Sequence, residues 1–286
     1  MSKLISDAHT ALAYRLGESA APTNTTELAR RLSWFSEAIN NVCDGEVLFW
    51  FQEEIYSTNT VDGQQYYELP SDFRKLKQLK VDGYKYEELP QEEIYKKFES
   101  PGSVVPILPA FQARTCYIYD DSIWLIPTPS SAPSAITLAT LTGVIATSIA
   151  TATYTDHTFY SGDYITIAGA SDSAYNGTFR VKTVIDDDTF TYETTTTISD
   201  TNPTGTITAT KNNIIMHYYE YPTEPTSSSS SIVLPDQYMN ILVSYAEGRY
   251  WSLAQKRAKA SDAFTEYESL IDKLSKENFR RKFLAR

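Results

Sequence analysis

Ile136-Thr137-Leu138-Ala139-Thr140-Leu141-Thr142-Gly143-Val144-Ile145-Ala146-Thr147-Ser148-Ile149-Ala150-Thr151-Ala152-Thr153-Tyr154-Thr155 decides how this chain is divided. These 20 residues hold 11 apolar side chains, eight Ser or Thr and one Gly. They are the densest part of an uncharged run of 34 residues, Ser122–Thr155. A membrane-spanning helix needs about 20 mostly apolar residues, whereas here hydroxyls recur along the whole length. β-Branched Thr, Ile and Val suit strands, so the stretch predicts β structure and no span. The window from Ala132 to Thr210 holds 22 Thr in 79 residues. Its only basic residues are Arg180 and Lys182, against eight acidic ones.

Turn signals divide that window. Gly162-Asp163 runs into the alternating Tyr164–Ile167, and Asn176-Gly177 precedes Thr178–Val181. Asp186-Asp187-Asp188 separates Val181–Ile185 from Thr189–Tyr192, which reads as a hairpin. Short strands parted in this way predict a small sandwich or barrel. Helical spacing stops before the window and returns after it. The expected organisation is an all-β domain over 132–210 inserted in an α+β host made of 1–131 and 211–286. The host should combine a helical bundle with a small antiparallel sheet.

The host opens on helices. Leu4, Ala8, Ala11, Leu12 and Leu16 share a face, with Gly17 as a stop. Asn24 with Glu27 reads as a capping pair for a helix whose apolar repeat is Leu28, Leu32, Phe35, Ile39 and Val42, ended by Asp44-Gly45. The cluster Leu48-Phe49-Trp50-Phe51 should pack the helix ends. Gln52–Thr60 and Gln65–Leu69, parted by Asp62-Gly63, read as a hairpin. Leu89–Phe98 reads as a short amphipathic helix. Cys116–Tyr119 and Ile123–Ile126 flank Asp120-Asp121-Ser122 as another hairpin. After the window, Ile214–Tyr221 is strand-like and can complete the interrupted sheet. Ser227–Ser231 reads as a flexible loop. A helix then starts at Leu234-Pro235-Asp236, with Met239, Leu242, Val243, Ala246, Tyr250 and Leu253 inward. A final helix runs from about Ala258 to Phe279, marked by Phe264, Tyr267, Ile271 and Leu274.

Composition limits function. The chain has 286 residues, 25 basic and 36 acidic, a net charge of −11. That balance opposes non-specific nucleic-acid binding, which needs a positive surface. Two cysteines, Cys43 and Cys116, are too few for a disulfide scaffold or a structural zinc site. The first nine residues contain no apolar signal core, so synthesis in a reducing cytosol is expected. Asp186–Asp188 lack the ligand spacing of a calcium loop and read as a solvated turn. His217, on an alternating strand with Tyr219 and Tyr221, reads as a sheet-face residue. Asp120-Asp121 read as turn chemistry and both cysteines as buried thiols. No phosphate loop, Ser-His-Asp set or zinc spacing is present, so no catalytic residue, cofactor or metal is expected.

The C-terminus breaks the acidic pattern. Lys273–Arg286 carries six Lys or Arg and one Glu, with Phe279, Phe283 and Leu284 interleaved. Such a segment reads either as a solvated helix end or as a docking tail with phenylalanine anchors and cations for an acidic partner.

Several host segments, in order, carry a family resemblance. They are Tyr67-Glu68-Leu69-Pro70-Ser71-Asp72-Phe73 with Val81-Asp82-Gly83; Trp124-Leu125-Ile126-Pro127-Thr128-Pro129; and His217–Tyr221 with Leu234-Pro235-Asp236-Gln237-Tyr238. Together they resemble the head-to-tail adaptor (head-completion or connector) proteins of tailed bacteriophages, over about 1–131 and 211–286. The insert resembles an Ig-like β-module of phage structural proteins. The resemblance implies a structural, non-enzymatic virion protein at the neck. It implies a ring, usually twelve-fold, under the portal, a platform for a tail or nozzle protein, and DNA passing through the bore without specific binding. No membrane is implied. By position, portal binding falls to Lys276, Phe279, Arg280, Arg281, Lys282, Phe283, Leu284 and Arg286. The acidic body agrees, because it repels sliding DNA, and many tyrosines suit subunit interfaces. A second reading makes the insert a glycan-binding module for host attachment. A third, a cell-wall hydrolase, lacks a convincing carboxylate pair.

Overall fold

The computed structural model describes residues 3–93 and 114–284. The helices that lie wholly within the described residues are α1 (Ile5–Leu16), α2 (Thr25–Cys43), α3 (Asn240–Leu253) and α4 (Arg257–Leu284). One seven-stranded sheet contains β1 (Glu53–Thr58), β2 (Tyr66–Glu68), β3 (Phe73–Val81), β4 (Tyr84–Glu88), β5 (Thr115–Tyr119), β6 (Ser122–Ile126) and β14 (Ile214–Glu220). A second contains β7 (Ile136–Thr137), β8 (Thr140–Gly143), β9 (Ile149–Thr153), β10 (Tyr164–Ala168), β11 (Gly177–Asp186), β12 (Thr189–Glu193) and β13 (Thr208–Lys211). The class is α+β with a further β lobe.

Two compact units emerge. The first holds residues 1–54, 72–75 and 219–286, and the second holds 55–71 and 76–218. The points 132 and 210 both fall inside the second unit.

In the first unit α1, α2 and α4 each pack on α3. Its core joins Ile5, Leu12, Phe35, Ile39, Phe49, Leu242 and Leu274. Gly17 ends α1 at φ 80°, a left-handed stop that glycine takes without a Cβ clash. Asn24 caps α2 through Thr26 N–H at 2.8 Å. Glu27, its expected capping partner, turns instead to Arg30 and Arg31 at 3.0 and 3.2 Å. The serine run is not a loose loop. Ser228 and Ser230 carbonyls accept the Ser6 and Ile5 N–H groups at 2.8 and 3.0 Å. They satisfy donors that the first turn of α1 cannot pair internally. Leu253 is 66% exposed rather than inward, and Trp251, two residues earlier, is buried in its place. The final helix is longer at its end than its apolar repeat predicts, running on to Leu284.

The first sheet has the order β1-β14-β3-β4-β5-β6-β2. This overturns the expected β1–β2 hairpin, since the two strands lie at opposite edges. A turn does form at Asp62-Gly63, but Gly63 N–H donates to Pro129 O at 2.9 Å and Thr60 Oγ1 to Ser131 O at 2.7 Å. Those long-range bonds carry the chain away from β1, whose neighbour β14 comes from the far side of the lobe. As expected, Ile214–Glu220 does join the interrupted sheet. The sheet is larger than expected and not purely antiparallel, because β4 and β5 run parallel. Asp82 and Gly83, at φ 51° and 77°, close the β3–β4 hairpin. The β5–β6 hairpin is as expected. Of Leu89–Phe98, residues 91–93 are helical, Leu89 and Pro90 precede the helix with Leu89 N–H donating to Cys116 O at 2.9 Å, and residues 94–98 lie outside the described residues.

The second sheet, β7-β13-β10-β11-β12-β9-β8, spans Ile136 to Lys211 and curls over a core of its own. Its registers explain the threonines. Thr140, Thr153 and Thr189 pair in one row across β8, β9 and β12; Thr142, Thr151 and Thr191 pair in the next. Between them Leu141, Ala152 and Phe190 are buried. Alternate residues face opposite sides of a sheet, so the β-branched hydroxyl residues take the outer face. Phe159, Phe179, Phe190 and Tyr192 pack within the core, Phe179 stacked on Tyr192 with ring centroids 4.9 Å apart and Phe159 edge-to-face with Phe190 at 5.1 Å. The expected β11–β12 hairpin is present. Asp188 Oδ1 accepts Asp156 N–H at 2.8 Å and Asp186 Oδ1 accepts Asp188 N–H at 3.0 Å, which is turn chemistry.

The buried His9 and the half-buried Glu220 of the first unit give its stability a pH profile. His9 is buried in the helical core against Phe35, and burial followed by the nearby Arg31 charge lowers its pKa to about 4. An unfolded histidine binds its proton near pH 6.5, so this contribution is present above that pH and is lost as pH falls towards 4. Glu220 runs the other way. Burial, the Asp72 and Glu54 charges and a hydrogen bond with Asp72 raise it to about 7. The folded state then holds a proton that the unfolded state has released, so stability is lost as pH rises from about 4.5 through 7. His9→Leu should flatten urea-unfolding stability between pH 6.5 and 4. Glu220→Gln should flatten it between pH 4.5 and 7. Unchanged slopes would show that neither group titrates with folding.

Candidate docking surface at the end of the last helix

The basic end of α4 belongs to the first unit, and helical spacing splits it into two faces. Asn278 and Lys282 stand one turn apart, and both donate to the Leu48 carbonyl at 2.9 Å. Asn278 is 3% exposed, so its side of that bond is buried. The Arg281 guanidinium lies 4.5 Å from the Trp50 ring centre, and Lys282 Nζ lies 6.0 Å from that of Tyr219. Cation–π contacts of this kind contribute about 0.5–1 kcal/mol at exposed sites. Burial, reinforced by Glu53, pushes the Tyr219 hydroxyl up to about 12, so it stays protonated beside Lys282.

Lys276, Phe279 and Arg280 stand at i, i+3 and i+4 and are all exposed, Phe279 by 64%. Lys276 pairs with Asp272, and Arg280 with Glu277 at 2.8 Å. Glu277 also holds Arg281 at 2.9 Å. Exposed pairs of this type are worth about 0–1 kcal/mol, so a partner carboxylate can displace them at little cost. The helix also places its own C-terminal carbonyls near these cations, a favourable arrangement.

Of the eight expected portal-binding residues, the structure places Lys276, Phe279 and Arg280 at the surface and ties Arg281 and Lys282 to their own chain. Phe283 and Leu284 continue the helix; their side chains, and Arg286 altogether, lie outside the described residues. Sequence reading missed the Leu48 carbonyl as an anchor. Its signal was the i, i+4 spacing of Asn278 and Lys282 opposite an aromatic cluster.

The remaining candidates are structural. Burial pushes the Cys43 and Cys116 thiols up to about 12, which removes nucleophilic character at neutral pH. His217 lies on β14 with intermediate exposure, as a sheet-face residue should. Among the described residues no group of three or more His, Cys, Asp or Glu is arranged to hold a metal ion. No described helix is long and apolar enough to cross a membrane.

A family model, described as SU10 adaptor protein, matches residues 5–166, more than half of the chain. The chain belongs to the SU10 adaptor protein family. These are bacteriophage structural adaptors, so a virion role follows. The match covers α1, α2 and strands β1–β9, and it ends in β10, inside the threonine-rich lobe. The resemblance of 1–131 to phage adaptors is thereby upheld, while the Ig-like likeness of the lobe is not established. No curated protein matches the chain. Among solved structures, the phage phi92 endosialidase is similar at 18% identity with a TM-score of 0.26. That likeness covers 35% of this chain and 18% of the endosialidase, too little to bear on fold or activity.

Proposed function

We propose that this SU10-family adaptor forms a ring, of twelve copies, at the neck of a tailed-phage virion. In this reading the ring seats on the portal and offers the next tail or nozzle protein its platform. DNA passes through the bore without specific binding. Membership of the adaptor family is the observation that carries the reading. The net charge of −11 supports it, since an acidic body repels phosphate and lets DNA slide. The protein acts by binding and carries out no catalysis.

Portal binding is assigned to the exposed stripe Lys276, Phe279 and Arg280, extended by Phe283, Leu284 and Arg286. Arg281 and Lys282 hold the helix end on Leu48 and Trp50, so they brace the stripe. Removing the whole segment would disturb that packing, and point changes test the idea more cleanly. The triple variant Lys276→Glu, Phe279→Ser, Arg280→Glu should lose co-sedimentation with the portal of the same phage. Its thermal unfolding should stay within about 2 °C of the unmodified chain, as expected for surface changes. Undiminished portal binding would overturn the assignment. Electron microscopy of the adaptor–portal complex reads the copy number directly, and a ring of other than twelve would correct it.

A further inference from the structure

The threonine-rich window holds two basic residues, Arg180 and Lys182, among eight acidic ones. The fold brings both to one cleft of about 420 Å³ in the second unit. Ser161, Gly162, Val181 and Glu193 complete its lining. The walls are held by backbone bonds. Gly162 N–H donates to Val181 O, and Val181 N–H to Asp163 O, each at 2.8 Å. Gly162 lies at φ 96°, and a Cβ there would meet Arg180 Nη2 at 3.3 Å, so the guanidinium lies against a bare backbone.

The charges in the cleft are unequal partners. Lys182 Nζ pairs with Glu193 at 3.2 Å. Arg180 has no such carboxylate; its Nε donates to Gly162 O at 3.4 Å, at the edge of hydrogen-bond range. Arg15, Arg30, Arg31, Arg249, Arg280 and Arg281 pair with carboxylates, whereas Arg74 donates to the Cys43 and Gly45 carbonyls and Arg114 lies over the Tyr84 ring. Arg180 is exposed beside the cleft, and its guanidinium has N–H groups open to an anion supplied from outside. A guanidinium presents a planar fork that matches a carboxylate with two parallel bonds.

We propose that this cleft binds a carboxylate-bearing sugar, as found in an acidic polysaccharide. Arg180 takes the carboxylate, while Glu193 and Ser161 Oγ, whose own hydrogen goes to Lys182 O at 2.8 Å, accept hydrogen bonds from the sugar hydroxyls. Glu193 decides between a sugar and a bare ion. Its carboxylate, though paired with Lys182, remains a strong acceptor for the several hydroxyls that a sugar offers. The cleft volume lies in the range of about 300–1,000 Å³ usual for small-ligand sites. The proposal stands apart from the ring reading. Lost portal docking leaves it intact, and lost sugar binding leaves the ring intact.

Calorimetric titration of the full chain at low salt with trigalacturonic acid tests it, with galactotriose and inorganic phosphate as comparison ligands. Saturable binding of the acidic trisaccharide alone is expected. Arg180→Gln should weaken it at least tenfold, and Glu193→Gln should weaken it severalfold. Absent saturable binding, or undiminished affinity in Arg180→Gln, would overturn the proposal. So would equal binding of phosphate combined with tighter binding in Glu193→Gln, which would mark a site for an adventitious ion only.

Discussion

Gly169→Ala is expected to destabilise the threonine-rich lobe by about 3 kcal/mol or more, combining left-handed backbone strain with overpacking. Gly169 has φ 90°, and a Cβ there would stand 2.1 Å from the Thr206 carbonyl oxygen. Gly205, at φ 123°, would place its Cβ 2.2 Å from Gly169 O. Two backbones therefore cross with each glycine filling the space beside the other. The obstacle in both cases is main chain, which cannot swing aside as a side chain can. Ser171 N–H donates to Thr204 O at 2.8 Å beside the crossing and fixes its spacing. Gly205→Ala should cost a similar amount, and the double variant less than the sum, because both changes open one crossing. All four tryptophans lie outside 132–210, so Trp fluorescence will not report the loss. Amide hydrogen exchange at β10, β11 and β13 will. Native-like protection there in Gly169→Ala would refute the crossing as a packing constraint.

Glu18→Ala is expected to cost the helical unit about 3 kcal/mol, the low end for stripping a partner from a buried charge. Arg31 is 1% exposed; it stands three residues after Leu28 and four before Phe35, at the edge of the apolar face of α2. Glu18 holds its Nη2 with both carboxylate oxygens at 2.7 and 2.9 Å, and Glu27 holds Nε at 3.2 Å. With Glu18 removed, the guanidinium keeps one carboxylate and stays shut off from water. Urea unfolding followed by Trp34 fluorescence measures the loss. Because the Arg31 side of the pair is buried, salt up to about 0.5 M should change it little. A loss below about 1 kcal/mol would show that Arg31 rehydrates instead. Arg31→Met should cost less than Glu18→Ala, since an apolar replacement leaves both carboxylates free to reach solvent.

Much of the architecture was legible before any coordinates. The threonine window announces its own strands because alternation and turn residues are local signals. Gly17, Asn24 and the β5–β6 turn act within a few residues, and each stands where its chemistry predicts. The β1–β2 hairpin failed for the converse reason. Asp62-Gly63 makes a turn in either arrangement, and the choice of partner strand lay with bonds to Pro129 and Ser131, about 70 residues away. The serine run failed likewise, since nothing in five serines foretells that their carbonyls meet the start of α1.

The candidate sites divide along the same line. Sequence by itself established an α+β chain with a threonine-loaded lobe, an acidic balance and a basic, phenylalanine-bearing end. Those follow from composition and from periodicity, which are properties of neighbours along the chain. Tertiary structure alone decided that Asn278 and Lys282 close on Leu48, leaving Lys276, Phe279 and Arg280 as the outward stripe. It alone set Arg180 in a cleft beside an already neutralised Lys182–Glu193 pair. Whether a cation is engaged depends on which distant carboxylate or carbonyl the fold delivers within about 3 Å, and no local pattern records that distance.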